Sequence, residues 1–307
     1  MSFSSEVKDE LYKVLGKNRH CLIAELGVFI HAYGRVSADE SGCLNLVIST
    51  EHEGIARKCF TLLEKTFNID VGVLREDRNF VLDVRGDENV ASILSAVKMW
   101  NRETKEFSRT ETVSDMLTAH SCCKRAFLRA TFIQCGSVSD PEKDYHLEFA
   151  CQSPEAAEKV IKVLRDFEID AKSVLRKKYF VVYIKEGSSV VEALNVLGAH
   201  VSLMNLENSR ILKEIANNVN RKVNCEAANL LKSVNAANSQ LDDIRLIAEK
   251  IGLDALPPQL REMAEIRLAY PDAPLKDLGG YLSPPIGKSG VNHRLRKLSE
   301  TADGLRG

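Results

Sequence analysis

The chain has almost no net charge and no long apolar run, and each absence excludes a class of protein. Its 42 lysines and arginines are balanced by 43 aspartates and glutamates, so overall basicity cannot hold it to nucleic acid or to a membrane. No stretch approaches the roughly 18–20 consecutive apolar residues of a membrane-spanning helix, and the first residues lack the apolar core of a signal peptide. We therefore expect a cytoplasmic protein with no membrane partner and only local electrostatic contacts.

The sequence also lacks the cysteine and histidine spacings of a zinc site. Its eight cysteines form no CxxC pair, and vicinal cysteines such as Cys122 and Cys123 seldom share one metal or bridge each other. Scattered thiols of a cytoplasmic protein are normally reduced and mostly buried. The sequence thus predicts reduced thiols, no metal and no cofactor.

What the sequence does contain is an internal repeat over its first two thirds. The segment that begins at Ile55, IARKCFTLLEKTFNIDVGVLREDRNFVLDV, aligns with the segment that begins at Ala156, AAEKVIKVLRDFEIDAKSVLRKKYFVVYI. A repeated order of elements is the usual origin of such self-similarity. We place the two copies at about 20–100 and 121–200.

Periodicity predicts the same elements in each copy, in the order helix, two strands, helix, two strands, helix. In the first copy we expect helices near 20–33, 52–67 and 88–99, and strands near 34–38, 44–49, 70–75 and 79–84. Asp77, Arg78 and Asn79 supply the turn between the last two strands. In the second copy, Ser153 and Pro154 give the middle helix a capping residue and a proline in its first turn.

Both copies begin with a helix that ends in glycine after small and apolar residues. The two segments are LGVFIHAYGRV, residues 26–36, and LRATFIQCGSV, residues 128–138. This pattern resembles the LAGLIDADG motif of homing endonucleases, duplicated in one chain as in the monomeric members of that family. The resemblance implies that the two motif helices pack together through small faces. It also implies that the last acidic residue of each motif would hold the divalent metal that activates water.

The positions that match those acids hold Tyr33 and Cys135, and neither is a hard oxygen ligand suited to Mg²⁺. Glu25 lies about two helical turns before the end of its helix, and Asp140 lies in the hairpin after the second motif, so we expect neither to replace the missing acids. A two-metal site needs several converging carboxylates. The sequence therefore predicts that nuclease chemistry is absent.

Gly34 and Gly136 at the motif ends have two interpretations. Each could be a helix stop in the left-handed conformation, which alone would explain a glycine. Alternatively, the glycines belong to an interface between the two motif helices, which requires them in both copies, and both copies have them.

From about residue 205 the strand patterns give way to helical ones, and six of the eight prolines separate short helices. We expect helices near 207–219, 224–236, 240–251, 258–269, 274–282 and 289–302. The predicted domains are therefore a duplicated domain over 1–203 and a helical domain over 205–307, whose assignment as DNA-binding rests on its last helix. The fold class is α+β: a duplicated LAGLIDADG-type αββαββα domain followed by an all-α helix-turn-helix domain at about 274–302.

The last predicted helix combines an apolar stripe with a basic face. Val291, Leu295, Leu298 and Ala302 recur at helical spacing and should face the domain core. The opposite face has no acid between 288 and 298, and its residue types suit phosphates and base edges. We predict that double-stranded DNA is bound by Lys288, Ser289, Asn292, His293, Arg294, Arg296 and Lys297.

Two alternatives accompany this prediction. A solvated amphipathic helix that closes a bundle would show the same pattern, although the two preceding helices supply the support that a DNA-binding helix requires. The segment 283–288 is also longer than the usual turn, which leaves the angle between the two helices open.

A second basic cluster consists of Asn220, Arg221 and Lys222. Its pattern favours a solvated turn between helices, with a secondary DNA contact as the alternative.

Three stretches spread over the whole chain carry a further resemblance: SFSSEVKDEL, NRKVNCEAANLLKSVNAA and LPPQLREMAEIRLAYPDAPLKDLGGYLSPPIGKSGVNHRLRKLSE. Taken over its whole length, the sequence resembles the WhiA family of bacterial transcription regulators. The resemblance implies a nucleoid-associated, sequence-specific regulator with a terminal domain similar to the promoter-recognition region of sigma factors. It further implies RNA polymerase or another regulator as a partner. The implied role is in cell division and chromosome segregation, and in sporulation in filamentous relatives.

Two other function classes stay open. An active LAGLIDADG endonuclease or maturase would need acids at positions 33 and 135, which the sequence lacks. A non-DNA protein-interaction module would use the saddle between the repeats, while the C-terminal helices only pack. Because basic and acidic residues nearly balance on the predicted saddle strands, we expect this domain to supply weak DNA contact or a partner surface. The C-terminal domain would then set specificity.

Overall fold

A computed structural model describes residues 2–40, 42–101, 103–104 and 106–306. By its internal contacts the chain forms two compact units, residues 1–213 and 214–307. The domain boundary at 203–205 stays a prediction. Among the described residues, no helix is both long and apolar enough to span a lipid bilayer.

The first unit contains the two repeats. Helix α1 (Phe3–Lys13) precedes them and was not predicted; Ser2 caps it by accepting a hydrogen bond from the Ser5 N–H at 3.2 Å. The first repeat consists of α2 (Arg19–Tyr33), β1 (Gly34–Ala38), β2 (Leu44–Thr50), α3 (Glu53–Phe67), β3 (Leu74–Glu76), β4 (Asn79–Arg85) and α4 (Asp87–Ala96). The predicted order of elements is confirmed, although β3 begins four residues later than expected.

The second repeat follows a connecting segment that holds β5 (Trp100–Asn101), β6 (Glu106–Phe107) and a 3₁₀ turn (Asp115–Thr118). Its elements are α5 (Ser121–Cys135), β7 (Gly136–Val138), β8 (Leu147–Cys151), α6 (Pro154–Arg165), β9 (Lys172–Arg176), β10 (Tyr179–Ile184) and α7 (Gly187–Leu197). The predicted cap of α6 is confirmed, because the Ser153 hydroxyl accepts a hydrogen bond from the Ala156 N–H at 3.2 Å.

Each repeat builds one four-stranded antiparallel sheet, in the orders β1-β2-β4-β3 and β7-β8-β10-β9. The alignment of the copies extends to backbone detail. Asp77 and Lys177 begin the β3–β4 and β9–β10 turns with φ of 52° and 53°, and they occupy matching positions in the two copies. Asn68 and Glu168, at φ of 56° and 60°, match in the same way after α3 and α6. The duplication is therefore one of geometry as well as of sequence.

The two motif helices, α2 and α5, pack against each other and lie in one continuous core. This confirms the predicted interface between them. The left-handed interpretation of the glycines is wrong, because Gly34 has φ −75° and ψ 140°, and Gly136 has φ −84° and ψ 157°. Both are extended, since the chain passes directly from helix to strand. A Cβ at Gly34 would lie 2.6 Å from the Ile30 carbonyl oxygen, and one at Gly136 would lie 2.7 Å from the Phe132 Cα. Glycine is thus required by the preceding helical turn.

The three helices predicted between 207 and 251 are wrong as separate elements, because one helix, α8 (His200–Lys250), covers that range. Asparagine recurs along this range, yet asparagine in a helix costs only about 0.7 kcal/mol relative to alanine. Glycine or proline would cost about 1 and 3 kcal/mol, and neither occurs between 200 and 250. Propensity alone therefore allows the helix to continue.

The second unit ends in α9 (Pro258–Ala269), α10 (Leu275–Gly280) and α11 (Lys288–Arg306), after a 3₁₀ turn at Leu253–Ala255. These helices confirm the predicted elements at 258–269, 274–282 and 289–302. Proline occupies the first turn of α9 and immediately precedes α10, where its fixed φ suits the start of a helix.

Candidate nucleic-acid interface

The candidate interface lies on α11, which the other helices of the second unit support. Its apolar stripe is buried as predicted: Val291, Leu295, Leu298 and Ala302 are at most 1% exposed. They pack in a core with residues of α9 and α10, which include Met263 and Leu278. The rotation of α11 is therefore fixed, and its opposite side faces solvent.

Six of the seven predicted DNA-binding residues are exposed on that side: Lys288, Ser289, Asn292, His293, Arg296 and Lys297. Within the described part of the chain, Lys288 and Lys297 have no ion-pair partner. We define these six residues as the α11 basic face. Two amines unpaired in this way leave their charge available to phosphate.

Arg294, the seventh residue, is turned toward α9. Its Nη1 donates to Glu262 Oε2 and to the Gln259 carbonyl oxygen, both at 3.4 Å, and its side chain is only 16% exposed. The same Glu262 accepts a hydrogen bond from the Ser283 N–H at 2.8 Å. Arg294 therefore connects α11 to α9 and to the turn before α11, so it helps to orient the helix.

Arg296 makes a different kind of ion pair, with Glu300 one turn further along α11. The Arg296 Nε donates to Glu300 Oε1 at 3.2 Å, and the two side chains are 78% and 62% exposed. Exposed pairs at this spacing contribute about 0.3–0.5 kcal/mol. Arg296 can therefore exchange Glu300 for an anionic or base partner at little cost.

Ile286 ties the long turn between α10 and α11 to both helices. The Ile286 N–H donates to the Gly279 carbonyl oxygen at 3.0 Å. The Ile286 side chain packs closely on Gly290, because a Cβ added to Gly290 would lie 3.1 Å from Ile286 Cδ1. Such contacts hold α10 and α11 together in spite of the extra residues. The first hydrogen bond of α11 joins the Val291 N–H to the Gly287 carbonyl at 3.1 Å, so the N–H groups of 288–290 lie at the open end of the helix, where phosphate is favoured.

The second basic cluster lies elsewhere than predicted. Asn220, Arg221 and Lys222 are exposed residues within α8, so the expected turn between two helices is wrong. Their side chains point in different directions around the helix, because successive residues are about 100° apart.

In the first unit, the ends of α2 and α5 border a cavity of about 560 Å³. Tyr33 and Cys135 both line it. Burial, together with the nearby Cys135, raises the pKa of Tyr33 to about 12, so the phenol is neutral at physiological pH. Among the described lining residues, Glu111 is the single carboxylate. The cavity therefore lacks the several acids that a two-metal centre needs.

A cation from the connecting segment occupies the end of the first motif helix. The Arg109 Nη2 donates to the carbonyl oxygens of Ile30 and Gly34, at 3.2 and 2.9 Å. His31 Nε2 pairs with the Thr110 carbonyl oxygen at 2.7 Å. A guanidinium at the helix C-terminus suits the helix dipole and disfavours a second cation beside it.

The two acids that could replace the missing ligands have other partners. Glu25 is fully buried, and its Oε1 accepts hydrogen bonds from Lys58 at 2.9 Å and from Arg129 at 3.2 Å. Asp140 lies in the loop after β7, where its Oδ1 accepts from the Glu142 N–H at 2.9 Å. Neither carboxylate lines the cavity at the motif ends.

Sequence spacing missed one group of potential ligands. All eight cysteines are free, and Cys21, Cys122 and Cys123 gather with His20 at the start of the two motif helices. The pairs come from different repeats, about 100 positions apart, so a search for local spacing could not find them. Their position at the equivalent end of two duplicated helices was the available signal.

Each part of the chain matches a known protein family. Family models match residues 19–99 as the WhiA N-terminal LAGLIDADG-like domain, 124–216 as the WhiA LAGLIDADG-like domain, and 219–302 as the WhiA C-terminal HTH domain. A relative from Lachnoclostridium phytofermentans, named "Probable cell division protein WhiA", is 47% identical over the full length of both chains. One with the same name from Alkaliphilus metalliredigens is 44% identical over 100% of this chain and 99% of its own.

A solved structure has the same architecture. The full-length DUF199/WhiA protein from Thermatoga maritima superposes with a TM-score of 0.56 at 24% identity, over 99% of this chain and 98% of that one. The combination of two LAGLIDADG-like domains with a C-terminal HTH domain is therefore common to both chains.

Proposed function

The chain belongs to the WhiA family, and from that membership we propose that it is a sequence-specific DNA-binding transcription regulator that acts in cell division and chromosome segregation. The cell-division part of the proposal follows the names of its relatives. The DNA-binding part is supported by the HTH domain and by the α11 basic face. On this proposal the protein acts in the cytoplasm at the nucleoid, together with RNA polymerase or another regulator.

The single observation that carries the proposal is the division of α11 into a buried stripe and the α11 basic face. Val291, Leu295 and Leu298 fix the helix against the core, so the exposed asparagine, histidine and basic residues share one outward side. Asn and Arg make bidentate contacts with adenine and guanine edges, while Lys contacts phosphate. A helix supported in this way is the usual form in which a helix-turn-helix enters the major groove.

We also propose that the protein does not cleave DNA. The support is chemical: Tyr33 and Cys135 stand at the motif positions that hold acids in the endonucleases, and Arg109 places a positive charge at the end of the first motif helix. Mg²⁺ prefers oxygen ligands with negative charge, so both features oppose its binding.

The salt dependence of DNA binding tests the first part. Full-length protein is titrated into a fluorescein-labelled duplex of random sequence, and the affinity is measured by anisotropy at several salt concentrations. If four to six phosphates are contacted, log K should fall against log salt with a slope of about −4 to −5. Selection of tight binders from the same random pool should then enrich one motif. Affinity that does not change with salt, or a pool that does not become enriched, would contradict the proposal.

Plasmid cleavage tests the second part. Supercoiled plasmid is incubated with the pure protein and Mg²⁺ or Mn²⁺, and we expect no conversion to nicked or linear forms. The double variant Tyr33→Asp, Cys135→Asp should also fail to cleave, because Arg109 and the residues around the site stay unsuited to a metal. Nicking by the wild type that is lost in Tyr33→Phe or Cys135→Ser would overturn this part while leaving the DNA-binding part intact.

A further inference from the structure

The start of the two motif helices brings together four potential metal ligands. His20 and Cys21 lie in the first turn of α2, and Cys122 and Cys123 lie in the first turn of α5. One nitrogen and three sulfur atoms from these side chains all lie within 4.8 Å of one another. Cys21 and Cys123 are buried, while His20 and Cys122 are exposed.

One contact in the group, between His20 and Cys123, joins the two repeats. His20 Nδ1 lies 3.0 Å from the Cys123 sulfur and 3.5 Å from the Cys21 sulfur. In a tetrahedral zinc site, metal–ligand distances of about 2.0–2.3 Å place neighbouring ligand atoms about 3.3–3.8 Å apart. The two distances from His20 Nδ1 are thus near the edge length of a single tetrahedron, and no two of the four ligand atoms are more than 4.8 Å apart.

We propose that His20, Cys21, Cys122 and Cys123 form a structural Zn²⁺ site that joins the two repeats. Cys₃His is one of the ligand sets of structural zinc sites, and three sulfur donors favour a thiophilic ion over Mg²⁺ or Ca²⁺. This proposal is independent of the proposed function. It departs from the sequence expectation of no metal, which rested on local spacing and on the observation that vicinal cysteines seldom share one metal. Here the sulfur atoms of Cys122 and Cys123 both lie within 4.8 Å of the other two ligand atoms.

Binding requires that the thiols lose their protons. Each sulfur that coordinates the metal donates an electron pair to Zn²⁺ and releases its proton to the solvent, while His20 coordinates through a neutral ring nitrogen. Three thiolates and one Zn²⁺ carry a net charge of −1. The N-termini of α2 and α5 both lie beside the group, and their partial positive charge stabilises such an anion.

The solvent access and the small size of the ligand group favour the binding of one exchangeable metal ion. His20 and Cys122 face the solvent, so a hydrated ion can reach the group without unfolding of the core. The ligand atoms lie too close together to surround a cluster of several iron and sulfur atoms. A second histidine, His120, lies beside His20 with ring centroids 5.4 Å apart, and would be an outer neighbour of the metal.

The site would connect the repeats at the end of the helix pair opposite to Tyr33 and Cys135. The folded chain holds the four ligands of α2 and α5 together, whereas the unfolded chain separates the two pairs by about 100 positions, so the ion binds the folded chain more tightly. The zinc-bound protein should therefore unfold at a higher temperature than the metal-free protein.

Metal content and cobalt spectroscopy test the proposal. Full-length protein is purified under a phosphine reductant, stripped with a chelator, and titrated with ZnCl₂ against a chromophoric zinc indicator. We expect one equivalent of zinc per chain and an increase in the melting temperature. Titration with CoCl₂ should give the intense visible bands of tetrahedral Co²⁺ together with thiolate-to-metal charge transfer.

Four variants distinguish this site from adventitious binding. His20→Ala and Cys122→Ser alter exposed ligands and should fold normally, while Cys21→Ser alters a buried one. Each should weaken zinc binding by more than about tenfold, since even residues that only support metal ligands have effects of 10–100-fold. Cys225→Ser, at an exposed cysteine of α8, is the matched control and should retain wild-type binding.

The zinc binding of the exposed-ligand variants and of the control decides between the possible outcomes. Loss of binding and of the cobalt spectrum in His20→Ala and Cys122→Ser, with both retained in Cys225→Ser, supports the site. Zinc that stays bound with unchanged affinity in those two variants overturns it. A protein that binds no zinc but loses the mass of two hydrogens under mild oxidation, through a Cys21–Cys122 or Cys21–Cys123 disulfide, also overturns it in favour of a redox pair.

Discussion

Glu25 of the first repeat accepts a hydrogen bond from the Arg129 Nε of the second repeat at 3.2 Å, and both side chains are buried. The same Glu25 oxygen pairs with Lys58 of α3 at 2.9 Å. Lys58 also donates to the carbonyl oxygens of Leu11 and Val14, both at 2.7 Å, and Arg129 donates to that of Leu197 at 3.0 Å. One carboxylate therefore connects charged groups and backbone from both repeats.

Replacement of that carboxylate should destabilise the first unit strongly. Glu25→Gln leaves two buried cations without an opposite charge, and breaking a buried ion pair in this way costs about 3–5 kcal/mol. Burial already lowers the pKa of Lys58, and Glu25 opposes that shift, so the pKa of Lys58 should fall further in the variant. The free energy of unfolding from urea titration, followed by circular dichroism, measures the loss.

An exposed glutamate provides the control for this prediction. Glu53 pairs with Arg57 on the surface of α3 at 2.6 Å, where the side chains are 51% and 75% exposed. Glu53→Gln should change the unfolding free energy by less than about 1 kcal/mol. A loss in Glu25→Gln no larger than that of Glu53→Gln would show that the buried network contributes little.

The glycines at the motif ends should tolerate no side chain, for a steric rather than a conformational reason. A Cβ at Gly34 would lie 2.6 Å from the Ile30 carbonyl oxygen, and one at Gly136 would lie 2.7 Å from the Phe132 Cα. We expect Gly34→Ala and Gly136→Ala each to destabilise the protein by about 1–3 kcal/mol, as overpacked sites do. Gly72→Ala is the control, because a Cβ there meets no atom within 4 Å. Thermal melts that place all three variants together would contradict the steric explanation.

The pH dependence of stability should carry a contribution from His31. Burial lowers the pKa of His31. The positive charges of Arg109 and Lys159 lower this pKa as well, while the Thr110 carbonyl and Glu111 raise it. The unfolded chain, with an ordinary histidine pKa of about 6.5, binds the proton first as the pH falls. Stability that is present above that value is therefore lost as the pH falls toward the lower pKa of the folded state.

A non-titrating variant isolates this contribution. His31→Gln retains an amide that can donate to Thr110 but has no proton to gain. Urea titrations at neutral and mildly acidic pH should show a smaller acid-induced loss of stability in His31→Gln than in the wild type. Equal losses in the two proteins would mean that His31 does not titrate differently in the folded and unfolded states.

The sequence was sufficient to predict a structural feature wherever that feature is periodic and local. The stripe at Val291, Leu295 and Leu298 identified the buried side of α11, and the alternating patterns located most strands of both repeats. The continuity of α8 was missed, although the segment holds neither glycine nor proline and the cost of its asparagines in a helix is small. Local signals of that size do not decide where a helix ends when glycine and proline are absent.

Features that depend on contacts between distant residues could not be predicted from the sequence. The Glu25–Arg129 contact joins positions 104 residues apart, and the contact of His20 with Cys123 joins positions 103 apart. Only the packing of α2 on α5 brings either pair together. Arg294 shows the same effect on a smaller scale, because its place on the helix wheel did not reveal that Glu262 of α9 would draw it away from the basic face.

Arg296 and Lys297 should affect DNA binding in different ways. Arg296→Ala should weaken binding to a motif selected from random duplexes by about 1–3 kcal/mol and reduce the preference for that motif, if the guanidinium contacts a base. Lys297→Ala should weaken binding to selected and unselected duplexes about equally and make the salt slope about one unit less steep. Lys250→Ala, at an exposed lysine near the end of α8, is the control for loss of one positive charge.

Glu300 allows the contribution of Arg296 to be separated from a change in net charge. Arg296→Ala leaves the Glu300 carboxylate unpaired on an exposed turn of α11, and its repulsion of phosphate would exaggerate the loss. Glu300→Gln alone should tighten binding, because it frees Arg296 and removes a negative charge. In the double variant, the reduced preference for the selected motif should persist although the general repulsion is gone. If the preference returns in the double variant, Arg296 acts only by neutralising Glu300, and base contact must come from Asn292 or His293 instead.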